Sequence, residues 1–571
     1  MCGIFCSISR DCFLSPDAAT EQLLRNRGPD SIGQHQVLLD ATSTDNNEKS
    51  HQLHATFLST VLSLRGTQVV DQPLRDADTS SILCWNGEAW TVGGEHIVGN
   101  DSQVVFQKLL AASRAADDAP SSRSSVTAFM SSIKGPYAFV FWDAYHKTLY
   151  YGRDCLGRRS LLKKSTSNGT LVLSSVCDNA SGEAWAEVEA DGIYLVDLSS
   201  SSASDSLSSP TLIAHDLQHR SIEARSPVTS PFPVMNRSIP ESPTLANGAV
   251  DQLKTSLEQS LKMRIQHVRE AIIPSSKAEG HASKVAILFS GGLDCTILAR
   301  MCHDLMPFNE QIDLLNVAFE NPRIHGKLDP GTSPFEVCPD RITGRSSHAE
   351  LRTVCPGRSW NFVAIDVPYT ETVAHRAAVM TLMHPHNTEM DLSISYALYF
   401  ASRGVGRTQS EMKDNTTPYA TPAHVLLSGL GADELFGGYQ RHATAFDRRG
   451  YTGLLDELEL DFNRLGKRNL GRDDRIISSS SKEVRFPYLD EDFIALALQL
   501  PVATKCDFGC PPDESSDNPV QFLEPAKRAL RLLAWRLGMK NVAAEKKRAI
   551  QFGARTAKME TGKTKGTHVL T

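Results

Sequence analysis

The sequence predicts a globular protein of mixed α/β class with more than one domain. Three observations carry that expectation. The chain has 571 residues, and domains usually hold roughly 100–200. Its first third consists of short β-rich runs separated by turn residues. Its later part alternates short apolar runs with segments of helical periodicity.

The β-rich runs are Phe57–Leu64, Ser81–Trp85, Tyr137–Trp142, Thr148–Tyr151, Leu171–Val176 and Gly192–Val196. Most are bounded by Gly, Asn or Asp, as strands in packed sheets are. Polar inserts near Thr42–Ser50 and Ser113–Ser125 interrupt them. From Ser199 to about Pro243 the chain is rich in Ser and Pro, a composition of linkers and surface segments. Val250, Leu253, Leu257, Leu261, Ile265 and Val268 then recur at helical spacing over Gly248–Ile273, and a second domain begins. Val285–Phe289, Leu314–Phe319, Asn361–Val367 and Val425–Leu427 read as strands, with helices around Thr370–Leu382 and Leu392–Ala401. That alternation predicts parallel α/β layering. Polar inserts recur at Arg323–Gly331 and Arg403–Thr421, and Asp490–Leu500 and Pro525–Leu537 read as amphipathic helices.

Composition narrows the function classes. Apolar residues make up 41% and charged residues 22%, which excludes a wholly disordered or fibrous chain. The balance of 59 Lys and Arg against 66 Asp and Glu, a formal −7, argues against nucleic-acid or membrane binding as the main task. No apolar run reaches the roughly 18 residues of a membrane helix, and no secretory signal opens the chain. Twelve Cys at irregular spacings read as reduced cytoplasmic thiols. Cys506 and Cys510 lack a second pair at zinc spacing, and His384-Pro385-His386 resembles a metal pair only superficially. Cys302, Cys338 and Cys355 read as packed thiols.

Chemistry is expected first at Cys2. Removal of the preceding Met would leave a thiol and an α-amine on one residue. That amine has a pKa of about 7.7–8, so nucleophile and base coincide. Arg27-Gly28-Pro29-Asp30, Arg65-Gly66, Asn86-Gly87-Glu88, Asn100-Asp101-Ser102, Gly135-Pro136-Tyr137-Ala138-Phe139 and Arg153-Asp154-Cys155-Leu156-Gly157-Arg158 follow in order. Taken alone, Asn86-Gly87 also reads as a hairpin turn. The ordered set resembles the class II, N-terminal-nucleophile glutaminase domain over residues 2–197. The resemblance implies that Cys2 attacks the glutamine carboxamide. Arg65 would hold the substrate carboxylate and Asp101 its ammonium. Asn86 and the Gly87 N–H would form the oxyanion hole, and Glu88 would help bind the glutamine ends.

Val285–Phe289 runs into Ser290-Gly291-Gly292-Leu293-Asp294-Cys295 and then an apolar-periodic helix. A strand, a Gly turn and a helix start present N–H groups to phosphate oxygens. No Gly-Lys-Ser/Thr follows, so this is not a Walker loop. It resembles the pyrophosphate loop of ATP-pyrophosphatases, with Cys295 at the final Ser. A second stretch, Ser428-Gly429-Leu430-Gly431-Ala432-Asp433-Glu434 through Phe436-Gly437-Gly438-Tyr439, resembles that of asparagine synthetases, as does Glu483 to Asp490. Across nearly the whole chain the sequence resembles the asparagine synthetase family. Pro339–Arg345, Asp391–Ile394 and Lys547–Gly553 resemble a divergent subgroup of it.

What the resemblance implies is specific. The N-terminal domain, 2–197, would be an α/β/β/α Ntn-type sandwich. The linker would be 198–243, and 244–571 would form a doubly wound α/β ATP-pyrophosphatase domain. Ser290, Gly291, Gly292, Cys295, Ser428, Gly429, Phe289 and Val317 would contact ATP, and Asp294 and Asp433 would hold Mg²⁺. A basic residue among Lys546, Lys547 and Arg548 would assist adenylation. The substrates would be glutamine, ATP and an aspartate-like carboxylate, with ammonia passing through the interior. A cytoplasmic location and a homodimer fit the same pattern. The family Glu between Ser-Gly and Gly is Leu430 here, and Leu handles no proton. That leaves two alternatives: a different acyl substrate, or a regulatory protein without the synthetase reaction.

Overall fold

The structure, a computed structural model, describes residues 1–41, 51–165, 169–178, 184–199, 207, 210–214, 232–239, 248–269, 283–409, 416–510, 512–513, 516, 518–559 and 565–570. Most of the Ser/Pro-rich segment, the Thr42–Ser50 insert and the stretch after Arg269 lie outside them. The chain forms two compact units. One comprises Met1–Phe232 with two later excursions, Thr381–His386 and Gly466–Ser481; the other comprises the rest.

The first unit holds two six-stranded antiparallel sheets. One runs Ala186–Glu187, Leu162–Ser165, Leu171–Ser174, Gly3–Ser9, His51–Val61, Ser31–Ala41. The other runs Thr211–Ala214, Gly192–Asp197, Thr148–Arg153, Tyr137–Asp143, Ile82–Gly87, Leu74–Arg75. Their facing side chains make one core, with Ile4, Ile8 and Phe57 from the first sheet and Ile82, Val140 and Val196 from the second. Each such side chain contributes about 1.5–3 kcal/mol when buried. Helices Asp101–Ser113 and Ala119–Ser131 cover the outer face of the second sheet through Val105, Leu109, Val126 and Met130. Helix Ala18–Arg27 covers the first through Leu24. The unit is an α/β/β/α sandwich.

The polar insert Ser113–Ser125 is mostly helical. Asp118 caps it by accepting from Ser121 N at 2.9 Å, and Pro120 suits a first turn. Only one face meets the sheet, so the residues look polar in line. Strand Gly3–Ser9 was not legible by alternation because every residue in it is buried.

The second unit carries a seven-stranded sheet in the order Thr416–Ala420, Val405–Gln409, Trp360–Val367, Ile312–Phe319, Val285–Leu288, Val425–Leu427, Glu483–Arg485. The last five are parallel. By chain order they read 3-2-1-4-5, a doubly wound sheet whose order reverses beside Val285–Leu288. Ligands of such sheets bind at that reversal, outside the carboxyl ends of the strands. The insert Arg403–Thr421 supplies the two antiparallel edge strands. The helix expected over Thr370–Leu382 is broken at His375, giving Tyr369–Ala374 and Arg376–Met383. Among the described residues no helix is long and apolar enough to cross a membrane.

Candidate functional site

In the first unit, Cys2 precedes strand Gly3–Ser9, and Asn86-Gly87 ends strand Ile82–Gly87. The two strands pack against each other across the sandwich. Asn86 and Gly87 pair with Ala138 and Tyr137, so they are strand residues and not a hairpin turn. The Asn86 side chain is buried, and neither its oxygen nor its nitrogen has a hydrogen-bond partner among the described residues. An unsatisfied buried amide is costly and calls for an explanation.

Just beyond it, Arg65 Nη1 donates to Glu88 Oε2 at 3.4 Å and to the Ala89 carbonyl at 3.1 Å, and Nη2 donates to the Ile97 carbonyl. The guanidinium carbon lies 5.7 Å from the Trp90 ring centroid. Asp101 Oδ2 accepts from Trp85 Nε1 and Ala89 N, both at 2.9 Å. Burial raises the Asp101 carboxyl above its usual range, against the opposing pull of Arg65. Arg65, Glu88 and Asp101 thus gather around the loop that follows Asn86-Gly87.

In the second unit the two Gly-rich loops leave neighbouring parallel strands at the reversal point. Ser290–Asp294 follows Val285–Leu288, and Ser428–Asp433 follows Val425–Leu427. Helix Leu293–Leu305 begins at Gly292, where no side chain caps its first-turn N–H groups. Gly291 (φ +80°) seats the loop on helix Pro339–Val354. A Cβ there would lie 2.4 Å from Gly344 N, and Ser347 Oγ donates to the Gly291 carbonyl at 2.6 Å. Phe289 and Val317 are buried near the carboxyl ends of their strands. Cys295 turns toward its own loop: its thiol donates to the Gly292 carbonyl at 3.3 Å, and burial raises its pKa. Ser428 N donates to the Arg485 carbonyl at 3.0 Å.

Asp294 and Asp433 meet on a residue the sequence reading missed. Lys527 Nζ lies 2.6 Å from Asp294 Oδ2 and 2.6 Å from Asp433 Oδ1. Its side chain is 3% exposed, against 20% for each carboxylate. Gly438 permits that approach, since a Cβ there would fall 1.9 Å from Asp433 Oδ1 and 2.3 Å from Lys527 Cε. Lys547 Nζ approaches Asp433 Oδ2 at 3.0 Å and the Tyr439 ring at 4.0 Å. Arg548 turns instead to Thr343 Oγ1 at 2.9 Å, and Lys546 is exposed beside Glu524. Of the three basic residues, Lys547 is the one held at the carboxylates.

Burial would raise Asp433, but Lys527 and Lys547 hold it well below its usual range. For Asp294 burial outweighs Lys527, Asp433 adds repulsion, and the carboxyl is raised. Glu434, hydrogen-bonded by Tyr439 Oη at 2.6 Å, is pushed up to about 7 by burial and by Asp433. Asp294 Oδ1 is buried without a hydrogen-bond partner among the described residues. Nothing local in sequence marked Lys527. It enters through a left-handed residue (φ +56°) ahead of helix Arg528–Arg536.

Comparison with known proteins places the chain in a family. The family model described as asparagine synthase matches residues 446–565. Asparagine synthetase domain-containing protein 1 of Mus musculus is 33% identical, covering 99% of this chain and 98% of that protein. Its counterpart in Gallus gallus is also 33% identical, over 100% and 99%. The glutamine-hydrolysing asparagine synthetase of Gallus gallus is 23% identical over 88% of this chain and 77% of its own length. With that identity sustained from end to end, the chain belongs to the asparagine synthetase family, in the group of asparagine synthetase domain-containing protein 1.

Proposed function

We propose that the protein forms an amide by two coupled half-reactions, using glutamine as nitrogen donor and ATP to activate a carboxylate. In the first, Cys2 Sγ, freed of its proton by its own α-amine after Met1 is removed, bonds to the carboxamide carbon. The C–N bond breaks and ammonia leaves, and water then releases glutamate from the thioester. Asn86 and the Gly87 N–H receive the developing oxyanion, which accounts for an Asn amide otherwise left buried and unpaired. Arg65, Glu88 and Asp101 bind the charged ends of glutamine.

In the second half-reaction a substrate carboxylate attacks the α-phosphorus of ATP and pyrophosphate leaves. Ammonia then displaces AMP from the acyl carbon. Ser290, Gly291, Gly292 and the first turn of helix Leu293–Leu305 hold the phosphates, with Phe289, Val317, Ser428 and Gly429 against the nucleotide. Asp294 and Asp433 fit Mg²⁺, since both are hard oxygen donors and Asp294 Oδ1 has no hydrogen-bond partner among the described residues. When bound, the ion neutralises polyphosphate charge. Lys527 and Lys547 bear on the same oxygens and would stabilise the charge that builds on the departing pyrophosphate. The convergence of the two loops on Lys527 at 2.6 Å is the observation that carries this reading.

ATP–pyrophosphate exchange with Mg²⁺, run with aspartate and a panel of carboxylates, tests it. The expected result is exchange that requires one carboxylate. Exchange with none of them, in folded protein, would sink the synthetase half. Leu430 favours a second reading in which the acyl substrate is not aspartate, and exchange with another carboxylate alone would select it. Cys2→Ala should abolish glutamine hydrolysis and spare ammonia-dependent AMP release; equal loss of both would contradict two separate sites. A cytoplasmic, homodimeric enzyme is consistent with this scheme.

A further inference from the structure

The turn Arg27-Gly28-Pro29-Asp30 has no part in the chemistry above, yet Arg27 is fully buried. Each of its three guanidinium nitrogens donates to a different partner. Nε donates to the Cys2 carbonyl at 3.2 Å, Nη2 to Asp474 Oδ2 at 2.8 Å, and Nη1 to Ser478 Oγ at 2.5 Å. Asp474 and Ser478 lie on helix Gly471–Ser478, 447 and 451 residues from Arg27 in sequence. That helix belongs to the first unit and is locked there by further buried contacts. Ser160 N donates to Asp474 Oδ2 at 3.1 Å, and Arg475 Nη1 donates to Glu187 Oε1 at 2.7 Å. Ser481 Oγ donates to the Asn26 carbonyl at 2.8 Å, one residue before Arg27.

We propose that Arg27 is a positioning residue for Cys2, and that helix Gly471–Ser478 sets Arg27 through Asp474 and Ser478. The inference rests on the reading of Cys2 as nucleophile. A donor on the Cys2 carbonyl fixes the peptide plane on which that residue's amine and thiol are oriented. Arg27 can hold that plane only while its own charge is matched, because both Arg27 and Asp474 are 0% exposed. The chain passes from this helix into strand Glu483–Arg485, whose Arg485 carbonyl accepts from Ser428 N. Glutamine hydrolysis is then conditional on a helix that lies far downstream of the thiol in sequence but in the same unit.

Steady-state glutamine hydrolysis by the full-length chain tests this. Asp474→Asn should lower kcat roughly 10- to 100-fold, the scale of a small misplacement of reacting groups, with KM for glutamine within about twofold. Ser478→Ala, which deletes one hydroxyl and no charge, should lower kcat at least about threefold by the same route. Arg27→Lys should fail to restore turnover, because one ammonium cannot reach three partners. The double variant Arg27→Met/Asp474→Leu should be no slower than Arg27→Met alone, since the pair acts as a unit. Arg25→Ala, in an exposed pair on the same helix, should match wild type. Unchanged kcat in both Asp474→Asn and Ser478→Ala, or a double variant slower by the product of the single losses, overturns the proposal. If Asp474→Asn does not fold, Ser478→Ala decides. A wild-type chain that hydrolyses no glutamine would remove the nucleophile reading itself, and this inference with it; an active wild type with unaffected variants removes only the inference.

Discussion

Asn86 and Lys527 are the single residues at which the proposed sites are most directly tested. Asn86 has two buried polar atoms with no hydrogen-bond partner among the described residues, so removing them should relieve the fold and damage the chemistry. Asn86→Ala should lower kcat for glutamine hydrolysis by about 10²–10³-fold with urea stability unchanged or slightly higher. A parallel loss of stability would instead make Asn86 a structural residue. Lys527→Met leaves Asp294 and Asp433 facing each other without their shared cation. Breaking a largely buried ion cluster costs about 3 kcal/mol. Millimolar Mg²⁺ should restore more stability to this variant than it adds to wild type, because the ion can take the vacated charge position. Equal Mg²⁺ responses in thermal melts would remove the case that these carboxylates bind the ion.

At the scale of elements, the loop Ser290–Asp294 rests on helix Pro339–Val354. Gly291→Ala forces a side chain onto a left-handed residue and drives its Cβ to 2.4 Å from the Gly344 backbone. The backbone strain alone costs about 1–2 kcal/mol, and the helix must shift as well. Gly291→Ala should lose about 2 kcal/mol or more in urea unfolding, together with nucleotide protection against proteolysis. Wild-type stability would mean that the loop rests on the helix more loosely than these distances imply. The same scale explains what the pattern concealed. Helix Ala119–Ser131 looked like a polar insert because its stabilising features are a cap and one narrow apolar face. The first strand lacked alternation because both its faces are covered. The parallel strands Val285–Leu288 and Val425–Leu427 were legible because continuous apolar runs between turn residues have few other uses.

For the molecule as a whole, buried charge makes stability depend on pH. Burial pushes Asp340 up to about 7, against the opposing pull of Arg548 and Arg555. Its unfolded value is near 4, so the folded state holds the proton more tightly. The group's contribution is complete below about pH 4, declines as pH rises, and is lost above about 7. Asp340→Asn cannot ionise. Relative to this variant, wild type should lose on the order of 3 kcal/mol between pH 4 and pH 8, read from urea melts at each pH. A constant difference across that range would show that the carboxyl is not perturbed.

The sequence by itself determined the α/β class, the strand and helix runs around the two Gly-rich loops, and the residues expected at each site. Local pattern carries that information because turns, caps and phosphate loops are built from neighbours in the chain. Only the tertiary structure decided that Lys527 closes the carboxylate pair, that Lys547 and not Arg548 faces it, and that Arg27 bonds both the Cys2 carbonyl and Asp474 of helix Gly471–Ser478. Those arrangements join residues hundreds of positions apart. Their energetics come from matching buried charges in space, which leaves no periodic or compositional trace along the chain.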